Sequence, residues 1–323
     1  MIIFFFLSII SCLGVLFIER IFEIGIYYHP DAEYYLTYRE NVNLTELFQN
    51  PKKFIGQFYI IITSLYKYNT NYLIGFNILI YSITNAYLFQ FVKNTYKKMG
   101  LAFYFAVFIV LLDPYRIHLA VHVLKDTLII FSLTILFFSR SYIIKIIYLI
   151  FGVFLRFSFF VYLPILISDI KISKRSIFFI IITFYIAVYP FYDLIINTLT
   201  IQGQKADMSF RQFDTIPNFL EYELFGGLFR SITWPIFRLT GTAYFFSSFY
   251  ILFLLHSLAL MYIILVNIKI VKTFLFKFLL FIFPLIALAY SVTGYNSYLR
   301  YTQPIITLLP IFIIYYSYKI RLK

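Results

Sequence analysis

Long apolar segments, separated by short polar loops, limit what this chain can fold into. Hydrophobic residues make up 62% of the 323 positions and charged residues only 13%, whereas a soluble domain has about 25% charged residues. Candidate membrane spans are 2–18, 72–92, 101–113, 126–138, 143–155, 157–169, 176–197, 244–266, 273–290 and 303–319. The sequence therefore predicts an all-α polytopic membrane protein with about ten transmembrane helices.

Lysine and arginine predict the orientation of these spans. The loops that we place in the cytoplasm are short and basic, and Asp169 is the only acid on that side. Their basic residues are Lys93, Lys97, Lys98, Arg140, Lys145, Lys171, Lys174, Arg175, Lys269, Lys272, Lys277, Lys319, Arg321 and Lys323. This asymmetry follows the positive-inside rule and places both termini in the cytoplasm. The net charge of +13 is explained in the same way, so nucleic-acid binding is not expected.

Two long outer segments divide the chain. Residues 1–197 form a first membrane module whose outer loop, 19–71, carries an acidic motif. Residues 198–323 comprise a polar outer loop, 198–243, followed by three spans. Shorter outer loops are expected at 113–125 and 291–302.

Two segments are too short or badly placed to be ordinary spans. Residues 54–67 are apolar, but a span here would move Lys93 to Lys98 outside, so we expect a juxtamembrane helix along the outer interface. Residues 143–169 are too few for two full spans and predict a short hairpin with Arg156 at its tip.

The first outer loop holds the candidate base. Asp31 follows His29-Pro30 and precedes a helical pattern, so it can act as an N-cap, as a base that takes a proton from a hydroxyl, or as both. Glu33 is a candidate auxiliary acid on another part of the same helix.

Basic residues near other outer helix ends are candidate phosphate contacts. Lys125 is expected to bind phosphate beside Asp126 as an orienting acid; the alternative is a snorkelling lysine and an acid that favours the helix start. Arg156 needs an anionic partner, either an acid of the first outer loop or a lipid phosphate.

Arginines of the second half complete the candidate set. Arg300 and Tyr301 lie in a tyrosine-rich stretch suited to a sugar or phosphate, although an arginine there can simply anchor the span. Arg230 and Arg238 flank the only tryptophan, in an amphipathic interfacial turn or a contact to lipid phosphate or glycan.

Metal and nucleotide sites are not predicted. His118 and His122 lie four residues apart, a spacing that can bind zinc on a helix, but no third ligand is apparent nearby. We therefore interpret them as interfacial histidines and assign no metal; a divalent cation has no support in the sequence. The chain has no P-loop, GxSxG or HExxH motif.

The order of these features resembles the GT-C superfamily of polyprenyl-phosphate-dependent membrane glycosyltransferases. The similarity rests on PDAEYYLTYRE after the first span, a juxtamembrane helix, an acid at 126, a hairpin with Arg156, and RYTQP at 300–304. LKDTLIIF, the TWP turn and the high Phe and Ile content are most similar to O-antigen and capsule repeat-unit polymerases. Ala32 departs from the contiguous acidic pair of the family, which puts the role of Glu33 in doubt.

The resemblance implies an inverting transfer on the outer face of the bacterial inner membrane. Asp31 would activate the acceptor hydroxyl, and Lys125, Arg156 and Arg300 would stabilise the leaving phosphate. Undecaprenyl-linked glycans would be donor and acceptor, with a chain-length regulator as a further partner. The alternatives are a single-sugar transferase of the same superfamily, or a transporter such as a lipid-linked oligosaccharide flippase.

Overall fold

The computed structural model describes residues 2–25, 29–38, 51–65, 69–95, 100–139, 141–156 and 250–267, and the single positions 159, 162, 163, 166, 308 and 311. Across these residues the regular structure is helical and contains no strand, which confirms the all-α prediction for this part of the chain. The helices are α1 (Ile2–Ile21), α2 (Pro30–Tyr38), α3 (Pro51–Ser64), α4 (Thr70–Thr95), α5 (Leu101–Leu111), α6 (Pro114–Ala120), α7 (Asp126–Phe138), α8 (Tyr142–Leu155) and α9 (Tyr250–Val266).

Three helical segments of the described ranges are long and apolar enough to cross a membrane. They are Ile2–Ile21, Thr70–Thr95 and Leu101–Ala120. The predicted spans 157–169, 176–197, 273–290 and 303–319 lie mostly or wholly outside the described residues, as do the outer loop 198–243 and the boundary at 197. The total of about ten spans therefore stays a prediction.

Helix α1 packs antiparallel against α4. The ring of Phe4 stacks on that of Phe89 with centroids 4.5 Å apart. One turn later in α1, Ser8 Oγ accepts a hydrogen bond of 3.4 Å from Asn85 Nδ2. Because residue numbers rise in α1 while those of their partners fall in α4, the carboxyl end of α1 lies beside the amino end of α4.

Helix α7 runs parallel to α4 and antiparallel to α8. Asn77 donates to the carbonyl of Leu124, just before α7, and Phe91 contacts Phe138 at the other end of both helices. Between α7 and α8, the ring centroids of Phe131 and Tyr148 are 5.6 Å apart. The carboxyl ends of α1 and α8 therefore meet the amino ends of α4 and α7, and we call this region, which contains Glu19, His122, Asp126 and Arg156, the polar end.

The region 113–125, predicted as a short outer loop, is instead a buried part of the helix assembly. Helix α6 begins at Pro114, a residue that suits a first helical position because it has no N–H to satisfy. Asp113 caps this helix by accepting a 3.0 Å bond from the backbone N–H of Tyr115. Every residue from Tyr115 to Leu124 is buried, so the segment that follows α5 packs inside the helix assembly.

Helix α1 ends abruptly beyond Glu19. The N–H of Ile24 donates to the carbonyl of Glu19 (2.8 Å), and that of Glu23 to the carbonyl of Arg20 (3.2 Å). Glu23 has a φ of 57°. These two bonds and the left-handed residue form a Schellman motif, in which glycine is the usual occupant. This ending fixes the position of Glu19 at the last turn of α1.

Helices α2 and α3 cover the polar end. Tyr35 of α2 contacts Tyr59 of α3, with ring centroids 4.8 Å apart, and Phe58 of α3 contacts Phe151 and Phe154 of α8. The helix predicted over 54–67 is confirmed as a helix, with the bounds Pro51–Ser64; its place along an interface stays a prediction.

Asp31 is not the N-cap of α2 that was predicted, because it is the second residue of the helix. Helix α2 begins at Pro30, and the carbonyl of His29 accepts the N–H of Ala32 at 2.9 Å. Asp31 therefore lies within the first turn, where the helix dipole still favours a carboxylate.

Gly152 allows the chain after α8 to fold back tightly. A Cβ at Gly152 would overlap two ring atoms of Phe159. In the same turn the N–H of Arg156 donates to the carbonyl of Gly152, and the N–H of Phe159 to the carbonyl of Arg156, both at 2.9 Å. The ring of Phe159 is almost completely buried, so it has little room to move.

We expect Gly152→Ala to destabilise the protein by about 1–3 kcal/mol, the usual cost of overpacking. Thermal unfolding of the purified protein in detergent measures the loss. Gly75→Ala in α4 is the control, because a Cβ there meets nothing within 4 Å and alanine is the better helix former. Equal unfolding temperatures for Gly152→Ala and wild type would contradict the packing described here.

Candidate functional site at the polar end

The turn between α6 and α7 is fixed by hydrogen bonds to its carbonyl groups. Asn77 Nδ2 donates to the carbonyls of His122 (2.9 Å) and Leu124 (3.2 Å). Tyr59 Oη also donates to the carbonyl of Leu124, at 3.1 Å. Two helices therefore position the backbone immediately before Lys125 and Asp126.

Asp126 and Arg156 form a buried ion pair. Arg156 Nη2 donates to Asp126 Oδ1 at 2.7 Å. Asp126 is fully buried and Arg156 is 8% exposed. A carboxylate partner for Arg156 was one of the predicted alternatives, but it comes from the start of α7 and not from the first outer loop. The antiparallel packing of α7 and α8 explains the pairing, because it brings the first residue of one beside the last turn of the other.

Lys125 lies over the helix that carries Asp31. Its Nζ is 5.7 Å from the centroid of the Tyr35 ring, a distance suited to a cation–π contact. Asp31 and Tyr35 are four residues apart in α2, so their side chains share one face of the helix. Asp31 is partly buried, whereas Glu33 is exposed. The structure thus brings Lys125 to the face of α2 that bears Asp31.

Three histidines and one glutamate form a second polar group at this end. His118 Nδ1 lies 2.6 Å from Glu19 Oε1, and His122 Nε2 lies 3.1 Å from Glu19 Oε2. The Nε2 atoms of His29 and His118 are 2.8 Å apart. The prediction that no third ligand lies near His118 and His122 is therefore wrong, because His29 lies beside them. His122 also lies beyond the end of α6, so the two predicted ligands are not both on one helix.

The sequence alone does not identify Glu19 or His29 as site residues. Glu19 precedes Arg20 at the end of the first apolar segment and resembles an ordinary interfacial charge. His29 lies two residues before Asp31, and the catalytic role in this motif was assigned to Asp31. The available signal was that the first outer loop contributes the chain's only histidine before His118.

Arg116 forms a third polar group, deeper in the bundle. It donates to Asn85 Oδ1 (3.0 Å) and to the carbonyl of Leu111 (3.3 Å), and lies 5.0 Å from the centre of the Tyr81 ring. Asn85 is 15 positions along α4 from Thr70, about 22 Å at 1.5 Å per residue. Arg116 therefore lies well away from the polar end, along the length of α4.

His256 extends this deeper group to α9. Its Nε2 lies 4.0 Å from Asp113 Oδ2, and both side chains are buried. Ionisable side chains in a membrane are rare and are typical of functional positions.

Four predicted site residues, Arg230, Arg238, Arg300 and Tyr301, lie outside the described residues. Their predicted roles stay predictions.

Comparisons with known proteins give no assignment: no family model, no curated protein and no solved structure matches this chain.

We expect removal of one member of the Asp126–Arg156 pair to destabilise the protein by about 3–5 kcal/mol, because an unpaired charge is left buried. Asp126→Leu and Arg156→Met test this separately by thermal unfolding in detergent. The double variant Asp126→Leu/Arg156→Met should regain most of the loss, because apolar side chains can replace a buried pair. A double variant as unstable as the sum of the single losses would contradict the pairing.

Lys125→Met is the control for these variants. Lys125 is only partly buried, and a cation–π contact contributes about 0.5–1 kcal/mol at an exposed site. Its unfolding temperature should therefore fall much less than that of either single variant of the ion pair.

Proposed function

We propose that this membrane protein is an inverting glycosyltransferase that uses an undecaprenyl-(di)phosphate-linked sugar donor on the outer face of the bacterial inner membrane. Within that class we propose a repeat-unit polymerase of O-antigen or capsular polysaccharide. The observation that carries the proposal is the position of Lys125 over the face of α2 that bears Asp31. A carboxylate and a cation at one end of apolar helices suit a hydroxyl acceptor and a lipid-linked phosphate.

Asp31 takes the proton from the acceptor hydroxyl as that oxygen attacks the anomeric carbon of the donor. The bond from the anomeric carbon to the phosphate oxygen breaks, and the lipid (di)phosphate leaves with the bonding electrons. Charge develops on the leaving oxygen, so a cation fixed nearby stabilises the transition state more than the ground state. Lys125 is the first candidate for this contact.

Arg156 has a different part in this proposal from the one first predicted. Its charge is matched by the Asp126 carboxylate at 2.7 Å, which reduces the positive potential it offers to a phosphate. We infer that the pair positions the start of α7, and with it Lys125, while Arg300 and Tyr301 contact phosphate or sugar. Arg230 and Arg238 are proposed contacts to lipid phosphate or glycan.

The proposed partners are an undecaprenyl-linked donor and acceptor, the bilayer, and a regulator of chain length. A single-sugar transferase of the same superfamily would use the same chemistry with another acceptor. The deeper group of Arg116, Asp113 and His256 favours one alternative of another class, a transporter of lipid-linked oligosaccharide, because such a protein needs polar residues within the membrane.

We expect Asp31→Asn to reduce glycan polymerisation by at least about 100-fold, because general base catalysis contributes about 10²–10⁴-fold. Polymer length is measured by gel electrophoresis in cells that lack the wild-type copy, at matched amounts of membrane-inserted protein. The matched control is Glu33→Gln on the same helix, which should retain activity within about tenfold, because Glu33 is exposed and lies on another face. Near-normal chain length with Asp31→Asn would refute the assignment of the base.

An assay in detergent micelles separates the enzyme from the transporter. Micelles have no two sides to transport between, so only an enzyme converts purified lipid-linked donor and acceptor there. We expect the wild-type protein to form glycosidic bonds and release the lipid (di)phosphate, and Lys125→Gln to slow this release. Intact substrate in micelles, together with flipping in vesicles, would favour the transporter.

A further inference from the structure

We propose that His29, His118 and His122 bind a divalent transition-metal ion of the zinc class, and that Glu19 orients their imidazoles without being a ligand. One nitrogen from each histidine lies within 4.8 Å of the others. The three rings meet face to edge or tilted, with centroids 4.5 to 5.0 Å apart. The inference is independent of the proposed function, because metal binding is measured without turnover.

The spacing of the nitrogens suits one shared ion. Zinc–nitrogen bonds are about 2.0–2.1 Å long, so two ligands of a tetrahedral ion are separated by about 3.3 Å. His29 Nε2 and His118 Nε2 are 2.8 Å apart and form a hydrogen bond between the two rings. A bound ion would replace this bond, and the two nitrogens would need to separate by only about 0.5 Å.

The contacts of Glu19 determine which ring nitrogen of His118 and of His122 is available to a metal ion. With Nδ1–H of His118 donating to Glu19 Oε1 at 2.6 Å, the lone pair of His118 is on Nε2, the atom that faces His29. Metal-binding histidines commonly donate their other N–H to a carboxylate in this way. His122 Nε2 lies 3.1 Å from the second oxygen of the same carboxylate, which leaves Nδ1 of His122 as its ligand atom.

The ligand types select the class of ion. Imidazole nitrogen suits zinc, copper, iron and nickel, whereas magnesium and calcium prefer oxygen. Three histidine ligands leave one position open, as in catalytic zinc sites. His118, His122 and Glu19 are almost completely buried, whereas His29 is only partly buried. An ion would therefore reach the site from the side of His29. The fourth position is suited to water or a substrate oxygen.

The histidines come from two distant parts of the chain, 89 positions apart. A metal bound here would therefore join the start of α2 to the turn after α6. It would hold Asp31, two residues beyond His29, against the bundle. The site thus has a structural consequence even if the ion takes no part in a reaction.

The test uses the full-length protein in detergent, purified without a histidine tag and stripped with a chelator. Zinc content after addition of zinc and gel filtration gives the stoichiometry, and titration with cobalt(II) reports a tetrahedral nitrogen site through its visible absorption. We expect one ion per chain. His29→Ala should weaken binding by more than about 100-fold, and Glu19→Gln by about 10–100-fold, as for other carboxylates behind metal-binding histidines.

His256→Ala is the matched control, because it removes the chain's fourth histidine, which lies beside Asp113 and not in the cluster. It should bind zinc as the wild type does. Added zinc should also raise the unfolding temperature of wild type and His256→Ala but not of His29→Ala, because only a folded site binds the ion. His29 is partly exposed, so its variant is expected to fold, and a single gel-filtration peak checks this. Folded wild-type protein without bound zinc or cobalt, or equal binding by His29→Ala, would overturn the proposal.

Discussion

The arrangement of the polar end depends on the satisfaction of two backbone carbonyls. The chain leaves helical geometry between α6 and α7, and the carbonyls of His122 and Leu124 lose their intrahelical partners. In an apolar environment each unsatisfied group costs several kcal/mol. Asn77 and Tyr59 donate to the carbonyl of Leu124, and the carbonyl of His122 accepts from Asn77 and from the backbone N–H of Leu124. Because of these bonds, the irregular segment can be buried, and the residues on either side of it can face one another.

The bounds of a helix could be predicted from the sequence where its composition and its end signals agreed. The helix over 126–138 follows from its apolar run and from the acid at its start, and the structure has these same bounds. The segment 101–113 was harder, because apolar composition continues towards a proline whose effect is to end one helix and begin another. The sequence shows five acidic or basic residues in 113–125, but it does not show that Arg116 is buried, since burial depends on Asn85 and Tyr81 of a different helix.

The partners in the candidate site could not be predicted for a related reason. Glu19 and His118 are 99 positions apart, and no period or spacing in one sequence relates them. What relates them is the antiparallel packing of α1 on α4, followed by the return of the chain through α5 and α6. The partner of Arg156 shows the same limit: its need for an anion was predictable from burial, whereas the choice of Asp126 required the direction of α8 against α7.

The end of α1 connects the fold to the histidine cluster. The Schellman bonds use the backbone carbonyls of Glu19 and Arg20 to stop the helix, while the side chain of Glu19 contacts two imidazoles. Glu19 therefore takes part both in the end of the helix, through its backbone, and in the orientation of the histidines, through its side chain. A buried carboxylate needs compensating donors; the Nδ1–H of His118 is one, and His122 Nε2 lies 3.1 Å from the other carboxylate oxygen. In each imidazole one nitrogen lies beside the carboxylate, so the position of Glu19 also determines which nitrogens remain for the proposed ion.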